Sequence, residues 1–181
     1  MEQTMSEKSL ILMRGLPSCG KSHTARRLCG DTGVVLETDE YFYSQVGDDV
    51  AKYDYREDLL PRARQWNLNR CRMAIRQSIS PIIIDRGNGA NAATYQYARL
   101  AVDTGYRVEL CEPESPWWQE IRVLLKYKDT TRAILYEWAE VLAEKSRATH
   151  RVPVEVIRRW MDAWCWDLTV DDILRCSPDH E

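Results

Sequence analysis

Residues 15–22 read Gly-Leu-Pro-Ser-Cys-Gly-Lys-Ser and follow the spacing G-x-x-x-x-G-K-[ST] without a mismatch. The apolar run Leu10–Met13 predicts a buried strand before them, and Ser22–Cys29 reads as a helix that Gly30 ends. In a strand–loop–helix unit of this kind the backbone N–H groups of the loop point inward, and the helix N-terminus adds partial positive charge. The segment therefore predicts a loop that binds nucleotide phosphates.

Each position of this loop has a chemical reason. Gly15 and Gly20 stand where the backbone bends most tightly and where a side chain would block the phosphates. Lys21 is expected to reach the β and γ oxygens of ATP, and the Ser22 hydroxyl to ligate Mg²⁺. Cys19 is either a redox-sensitive thiol or simply a small residue. We predict ATP and Mg²⁺ as cofactors, and as ATP-binding residues Gly15, Pro17, Ser18, Cys19, Gly20, Lys21, Ser22 and His23.

Apolar runs and helical periodicities alternate along the rest of the chain. Further strands are expected at Val34–Thr38, Ile82–Ile84 and Tyr106–Leu110, and further helices at Glu57–Ile79, Asn91–Thr104, Trp117–Lys145 and Val154–Trp164. This alternation predicts an α/β, P-loop kinase fold, with a parallel sheet of about four to five strands flanked by helices. We expect one domain over 1–181, with a flexible N-terminus (1–8), a helical insertion and lid (about 117–152) and C-terminal helices (153–181).

Composition and charge limit the class of protein. A hydrophobic content of 44% and a net charge of −3 fit a globular chain and argue against a uniformly basic nucleic-acid coat, although a local basic groove stays open. The six cysteines form no C-x-x-C pair, and the histidines show no ligand spacing, which argues against a zinc site. No leader-like or membrane-length apolar run is present, so we predict a cytoplasmic protein without a membrane partner. The oligomeric state is left open.

Two carboxylates follow predicted strands. Asp39 comes just after Val34–Thr38, at the sheet edge where α/β proteins bind ligands, and either accepts a proton from an attacking hydroxyl or caps the next turn. Asp85 follows Ile82–Ile84 and either assists Mg²⁺ or is an ordinary strand-end aspartate. Asn88, three residues later, is a candidate contact for a substrate phosphate.

A basic group precedes Val152 and Pro153. It consists of Lys145, Arg147, His150 and Arg151. A mobile arginine can stabilise the charge that develops during phosphoryl transfer, so this segment predicts a catalytic lid. The alternative is a solvated basic turn.

Taken in order, these segments resemble the polynucleotide 5′-hydroxyl kinase family of P-loop proteins, which includes the phage enzyme. The resemblance covers roughly residues 9–165. It is carried by the stretches 14–22, 37–43, 66–70, 80–88, 105–109, 112–118 and 147–153. The resemblance implies ATP-dependent phosphorylation of a 5′-hydroxyl on RNA or DNA, with Lys21, Asp39 as general base and the lid arginine Arg147 as catalytic residues.

The chain also departs from the family pattern. Phe42 stands where phage-type enzymes place an arginine that grips the substrate phosphate, and Arg86 is one candidate for the missing cation. About twenty residues, near 120–141, look inserted before the lid. Tyr41 and Phe42 either stack on a terminal base or pack beneath the lid. The predicted substrate-binding residues are therefore Tyr41, Phe42, Arg86 and Asn88, and the predicted metal ligands are Ser22 and Asp85.

Two other functions stay open at this point. One is a kinase for a small molecule or nucleoside, which the phenylalanine at position 42 favours, since the same loop and base serve many acceptors. The other is a nucleotide-gated binding module that transfers no phosphate.

Overall fold

The computed structural model describes residues 7–43 and 53–178. Its strands are β1 (Ser9–Met13), β2 (Val34–Leu36), β3 (Ile82–Ile84) and β4 (Arg107–Cys111). Its helices are α1 (Lys21–Cys29), α2 (Glu40–Tyr43), α3 (Leu60–Arg76, after a 3₁₀ turn at Glu57–Leu59), α4 (Ala92–Asp103), α5 (Pro116–Lys126), α6 (Lys128–Ser146), α7 (Val154–Asp162) and α8 (Val170–Leu174).

The four described strands form one parallel sheet in the order β2-β3-β1-β4. The predicted fold class is thereby confirmed. Strand β1 lies between β3 and β4, so the chain reverses its winding direction beside β1. In open α/β sheets the crevice at such a switch point, beyond the carboxyl ends of the strands, is where ligands bind. The loop after β1 lies at this point.

Helices cover both faces of the sheet. Leu10, Leu12, Ile82 and Ile84 pack on one face with residues of α3, α4 and α8. Their neighbours point the other way, where Ile11, Met13 and Ile83 pack against Ala25 of α1. This burial on both faces explains why the strands read as continuous apolar runs rather than as alternating patterns.

A second apolar cluster joins the later helices to the phosphate loop. Residues of α5, α6 and α7 pack together with Leu16 and Cys19 of that loop. The expectation of one helix over Trp117–Lys145 was wrong, because α5 ends at Lys126 and α6 begins at Lys128. The Lys128 ammonium donates to the carbonyl oxygens of Asp162 (2.7 Å) and Trp164 (2.8 Å), which ties the start of α6 to the end of α7.

The segment predicted as a flexible N-terminus lies mostly outside the described residues, which begin at Glu7. The C-terminal region predicted as helical contains α7 and α8 up to residue 178. Across residues 7–43 and 53–178, no helix combines the length and apolar character that a bilayer crossing requires.

Candidate active site

The loop after β1 has the geometry of a phosphate cradle. Gly20 precedes α1 with a φ of 92°, in the left-handed region, and no side chain caps the first turn of the helix. A Cβ atom at Gly15 would approach the ring of Pro113 to 2.9 Å, so this position requires glycine. The first N–H groups of α1 therefore face the loop without a capping side chain, as an anion site requires.

Lys21 lies across this cradle. Its ammonium group donates to the carbonyl oxygens of Gly15 (3.0 Å) and Leu16 (2.8 Å). Burial lowers the pKa of Lys21, and the charges of Asp85 and Asp39 oppose that fall. A bound triphosphate would offer this ammonium group negatively charged oxygens in place of the neutral carbonyls.

The segment after β4 holds the loop from outside. The Ser115 hydroxyl donates to the Cys19 carbonyl (2.7 Å), and the Trp117 indole donates to the Ser18 carbonyl (3.0 Å). Ser115 is also the N-cap of α5, where it accepts from the Trp118 N–H. Sequence reasoning missed this support, because Trp117 and Ser18 are 99 residues apart.

Cys19 is a packing residue of the loop. Its side chain is buried in the apolar cluster with α5 to α7. Burial raises the pKa of the Cys19 thiol to about 12, so the reactive thiolate is scarce. Of the two interpretations of Cys19, the geometry favours the small residue over the redox-sensitive thiol.

Ser22 and Asp85 meet at the carboxyl edge of the sheet. Burial raises the pKa of Asp85, and a hydrogen bond with the Ser22 hydroxyl works against that rise. The Asp85 side chain is 5% exposed, and its Oδ2 atom is buried without a hydrogen-bond partner among the described residues. A buried carboxylate oxygen of this kind fits a Mg²⁺ ligand, either direct or through water.

Asp39 lies just beyond β2, the strand that neighbours β3 in the sheet. Its Oδ1 atom accepts a hydrogen bond from the Tyr53 hydroxyl (3.1 Å), and its Oδ2 atom is 3.7 Å from His150 Nε2. The same imidazole nitrogen is 3.3 Å from Glu37 Oε1. Burial raises the pKa of Asp39, His150 lowers it, and Glu37 adds to the rise.

The side chains of Glu37, Asp39 and His150 also lie within 4.8 Å of one another, close enough to hold a metal ion. A hydrogen bond already joins His150 to Glu37, whereas Asp85 keeps an oxygen atom without a partner in the described chain. Ser22 and Asp85 therefore stay the predicted ligands of the divalent cation.

The predicted substrate-binding residues occupy different environments. Arg86 is half-buried, and its charge interacts with those of Arg64 and Asp39. Asn88 is 2% exposed, and its side-chain amide donates to the carbonyl oxygens of Met13 (2.8 Å), Ile84 (3.1 Å) and Arg86 (3.2 Å). This arrangement favours a structural role for Asn88, in which it holds the turn that carries Arg86.

Aromatic residues gather beside Asp39. Phe42 is 1% exposed, and it packs against Tyr41, Tyr53 and Tyr55 with ring centroids 5.7, 6.1 and 5.1 Å away. In this arrangement Phe42 offers no free face to a substrate. Tyr55, by contrast, is 47% exposed.

The predicted lid loop, residues 147–153, joins α6 to α7. Arg147 has a side chain 77% exposed and pairs with Glu144 (3.1 Å), so in this conformation it faces solvent. Lys145 lies over the Trp117 ring, with 4.5 Å between its ammonium and the ring centroid, and Trp117 in turn contacts the loop. His23, on α1, is exposed.

A parallel sheet, a glycine-lined loop ahead of an uncapped helix, and a serine beside a buried aspartate define a P-loop nucleotide-binding fold. More narrowly, a family described as an AAA domain (AAA_33) matches residues 10–164, and the chain belongs to that family.

Similar proteins extend this assignment. Human NEDD4-binding protein 2 is 40% identical over 112 residues, which are 61% of this chain and only 6% of that much longer relative. A presumed kinase from Chloroflexus aurantiacus has a similar structure, with a TM-score of 0.50 and 16% identity over 84% of this chain and 79% of its own. At that identity the structural likeness bears on the fold alone.

Proposed function

We propose that this protein is an ATP-dependent kinase that phosphorylates the 5′-hydroxyl of a polynucleotide, RNA or DNA. The observation that carries the proposal is the position of Asp39, which follows β2 at the carboxyl edge of the sheet, close enough for its charge to act on the pKa of Lys21. A hydroxyl acceptor held beside Asp39 would face the terminal phosphate of ATP in the cradle. The resemblance of seven ordered segments to polynucleotide kinases supports the choice of acceptor.

The chemistry follows from this placement. Asp39 accepts the proton of the acceptor hydroxyl as that oxygen forms a bond to the γ-phosphorus, and the bond from the γ-phosphorus to ADP breaks. Lys21 and the loop N–H groups hold the β and γ oxygens. A Mg²⁺ ion, held by Ser22 and Asp85, would neutralise charge on the phosphates.

Arg147 has the remaining catalytic role in this proposal, as the lid arginine that neutralises charge on the transferring group. Because its side chain pairs with Glu144 and faces solvent, Arg147 must leave Glu144 to reach the phosphates. An exposed ion pair of this kind contributes little stability, so exchanging Glu144 for a phosphate costs little.

The acceptor side offers suitable contacts for a nucleic-acid end. Arg86 would bind the phosphate next to the terminal nucleoside, with Asn88 holding its turn. Tyr41 and Tyr55 provide aromatic surface near Asp39, and stacking on such rings is tolerant of base sequence. Phe42 would support this aromatic group from beneath, since it is buried among the tyrosines.

A transfer assay tests the proposal. Purified protein is incubated with radiolabelled ATP, Mg²⁺ and matched RNA and DNA oligonucleotides that end in a 5′-hydroxyl or a 5′-phosphate. We expect label on the 5′-hydroxyl strands alone. Absence of transfer from a protein that binds ATP would overturn the proposed acceptor.

The second candidate is a kinase for a nucleoside or another small molecule, which Phe42 favours because it replaces the expected phosphate-gripping arginine with a buried apolar ring. This candidate predicts label on a free nucleoside and no salt-sensitive oligonucleotide binding. A binding module without transfer would retain its activity after Asp39→Asn, whereas either kinase would lose most of its rate.

A further inference from the structure

Three segments that are distant in sequence meet at the proposed base. Glu37 and Asp39 follow β2, Tyr53 comes from the chain before α3, and His150 comes from the lid loop. The Tyr53 and His150 rings also touch, with 5.1 Å between their centroids. The imidazole of the lid loop therefore sits against the carboxylate that would accept the proton.

The surroundings of Asp39 oppose its ionisation. A general base has to be unprotonated before the hydroxyl arrives. Asp39 is partly buried beside a second carboxylate, Glu37, and both circumstances disfavour its charged form. The groups that interact with Asp39 from the neighbouring elements are Lys21, Glu37, Tyr43, Tyr53, Tyr55, Arg86 and His150.

Three of these groups, among the described residues, are cations, and in the proposed reaction two of the three bind phosphates. Lys21 binds the ATP phosphates, and Arg86 binds a phosphate of the acceptor. Of these three cations, only His150 remains beside the carboxylates of Glu37 and Asp39. A hydrogen bond with Glu37 raises the pKa of His150, so it is an imidazolium over the acidic range in which a carboxylate titrates.

We propose that His150 is a positioning residue that keeps Asp39 ionised, because the lid loop places its imidazolium against both Glu37 and Asp39. This inference rests on the proposed function, in which Asp39 is the base. The imidazolium retains its own proton, and the proton of the acceptor hydroxyl goes to Asp39.

Direct titration of Asp39 tests the inference without any substrate. The full chain is labelled with ¹³C at the aspartate and glutamate carboxyl carbons, and the Asp39 midpoint is read by NMR in four variants. His150→Gln keeps a hydrogen-bond donor without the charge, and His150→Lys restores a charge. The double variant Glu37→Gln/His150→Gln removes both partners, and Arg99→Gln removes an exposed cation on α4 that pairs with Asp103.

We expect His150→Gln to raise the Asp39 midpoint by about one pH unit. The midpoint should return toward the wild-type value in the double variant, since the competing carboxylate is gone, and in His150→Lys. Arg99→Gln should leave it unchanged. An unchanged midpoint in His150→Gln, in a chain whose spectrum shows the native fold, would overturn the inference.

Kinetics separates this inference from the proposed function. The acid limb of kcat for oligonucleotide phosphorylation should move upward in His150→Gln by the same amount as the Asp39 midpoint, and move back in the double variant. A lower rate with an unmoved acid limb would mean that His150 is merely structural and would overturn the inference. A shifted midpoint in a protein that phosphorylates no oligonucleotide would instead reject the proposed acceptor and leave the coupling of His150 to Asp39 standing.

Discussion

The two sides of the site are held together by different forces. On the nucleotide side, the loop is packed into an apolar cluster and is held by neutral hydrogen bonds from Ser115 and Trp117. On the acceptor side, the contacts join ionisable side chains that remain partly exposed, at 23% for Glu37, 35% for Asp39 and 33% for His150.

This contrast indicates which side of the site is formed before its ligand binds. Apolar packing and buried hydrogen bonds depend little on pH or salt, so the phosphate cradle exists before ATP arrives. Partly exposed ion pairs are weak and are screened by salt, so the acceptor side can rearrange when its substrate binds.

The largest effect should come from Lys21→Ala. In the proposed function Lys21 both binds ATP and stabilises the transferring phosphate, so kcat/KM should fall by at least about 10³-fold, and ATP affinity should fall with it. Steady-state kinetics and calorimetry measure the two losses. Lys126→Ala, at an exposed lysine of α5, is the control and should change neither. Full ATP affinity in Lys21→Ala would show that the cradle has been misplaced.

Arg147→Ala should come next, with a fall of about 10³-fold in kcat. ATP affinity should stay near the wild-type value, because the Arg147 side chain is exposed and paired with Glu144 rather than with the loop. Arg132→Ala removes a similarly exposed arginine of α6, paired with Asp162 at 3.4 Å, and serves as the control. If Lys145→Ala lowers kcat more than Arg147→Ala does, the lid cation is Lys145, which already lies beside the loop over Trp117.

A moderate effect is expected from Ser115→Ala, which removes both the cap of α5 and the support of the Cys19 carbonyl. The free energy of unfolding should fall by about 1–2 kcal/mol, and ATP affinity should fall several-fold. Thr169→Ala removes the cap of α8 and should cost about 1 kcal/mol of stability with unchanged ATP affinity. Equal ATP affinities in the two variants would mean that Ser115 does not brace the cradle.

The smallest effect concerns stability and pH. Because the folded protein raises the pKa of Asp39, this residue favours the folded state most below about pH 4, and that contribution is lost as the pH rises through the folded-state value. Asp39→Asn should therefore raise Tm at pH 7 by up to about 2 °C and give no such gain at pH 4. Thermal melts at the two pH values measure the difference. A gain at pH 4 as large as at pH 7 would contradict burial of this charge.

Local patterns in the sequence indicated more candidate residues for the proposed nucleotide side than for the proposed acceptor side. The loop from Gly15 to Ser22 is contiguous, and Asp39 and Asp85 follow apolar runs, so strand-end logic was enough to select them as candidates. The charges of the lid segment were enough to predict a lid. Its contact with Asp39, through His150, could not be predicted from the sequence, because only the tertiary structure brings the two together. Tyr53 gave no signal for the same reason.

The break between α5 and α6 was equally out of reach. Residues 117–145 contain neither proline nor glycine, so the periodicity predicts one continuous helix. The interruption at Tyr127 accompanies the bonds of Lys128 to the end of α7, which come from packing rather than from local propensity.

The proposed role of Asp39 as the base is tested most directly by two measurements on one preparation of Asp39→Asn. The first is transfer of labelled phosphate to a 5′-hydroxyl oligonucleotide, and the second is the Kd for Mg²⁺·ATP. We expect transfer to fall by about 10²–10⁴-fold while the Kd stays at the wild-type value, since the base and the cradle are separate structures. Wild-type transfer by Asp39→Asn, or loss of ATP binding together with transfer, would contradict it.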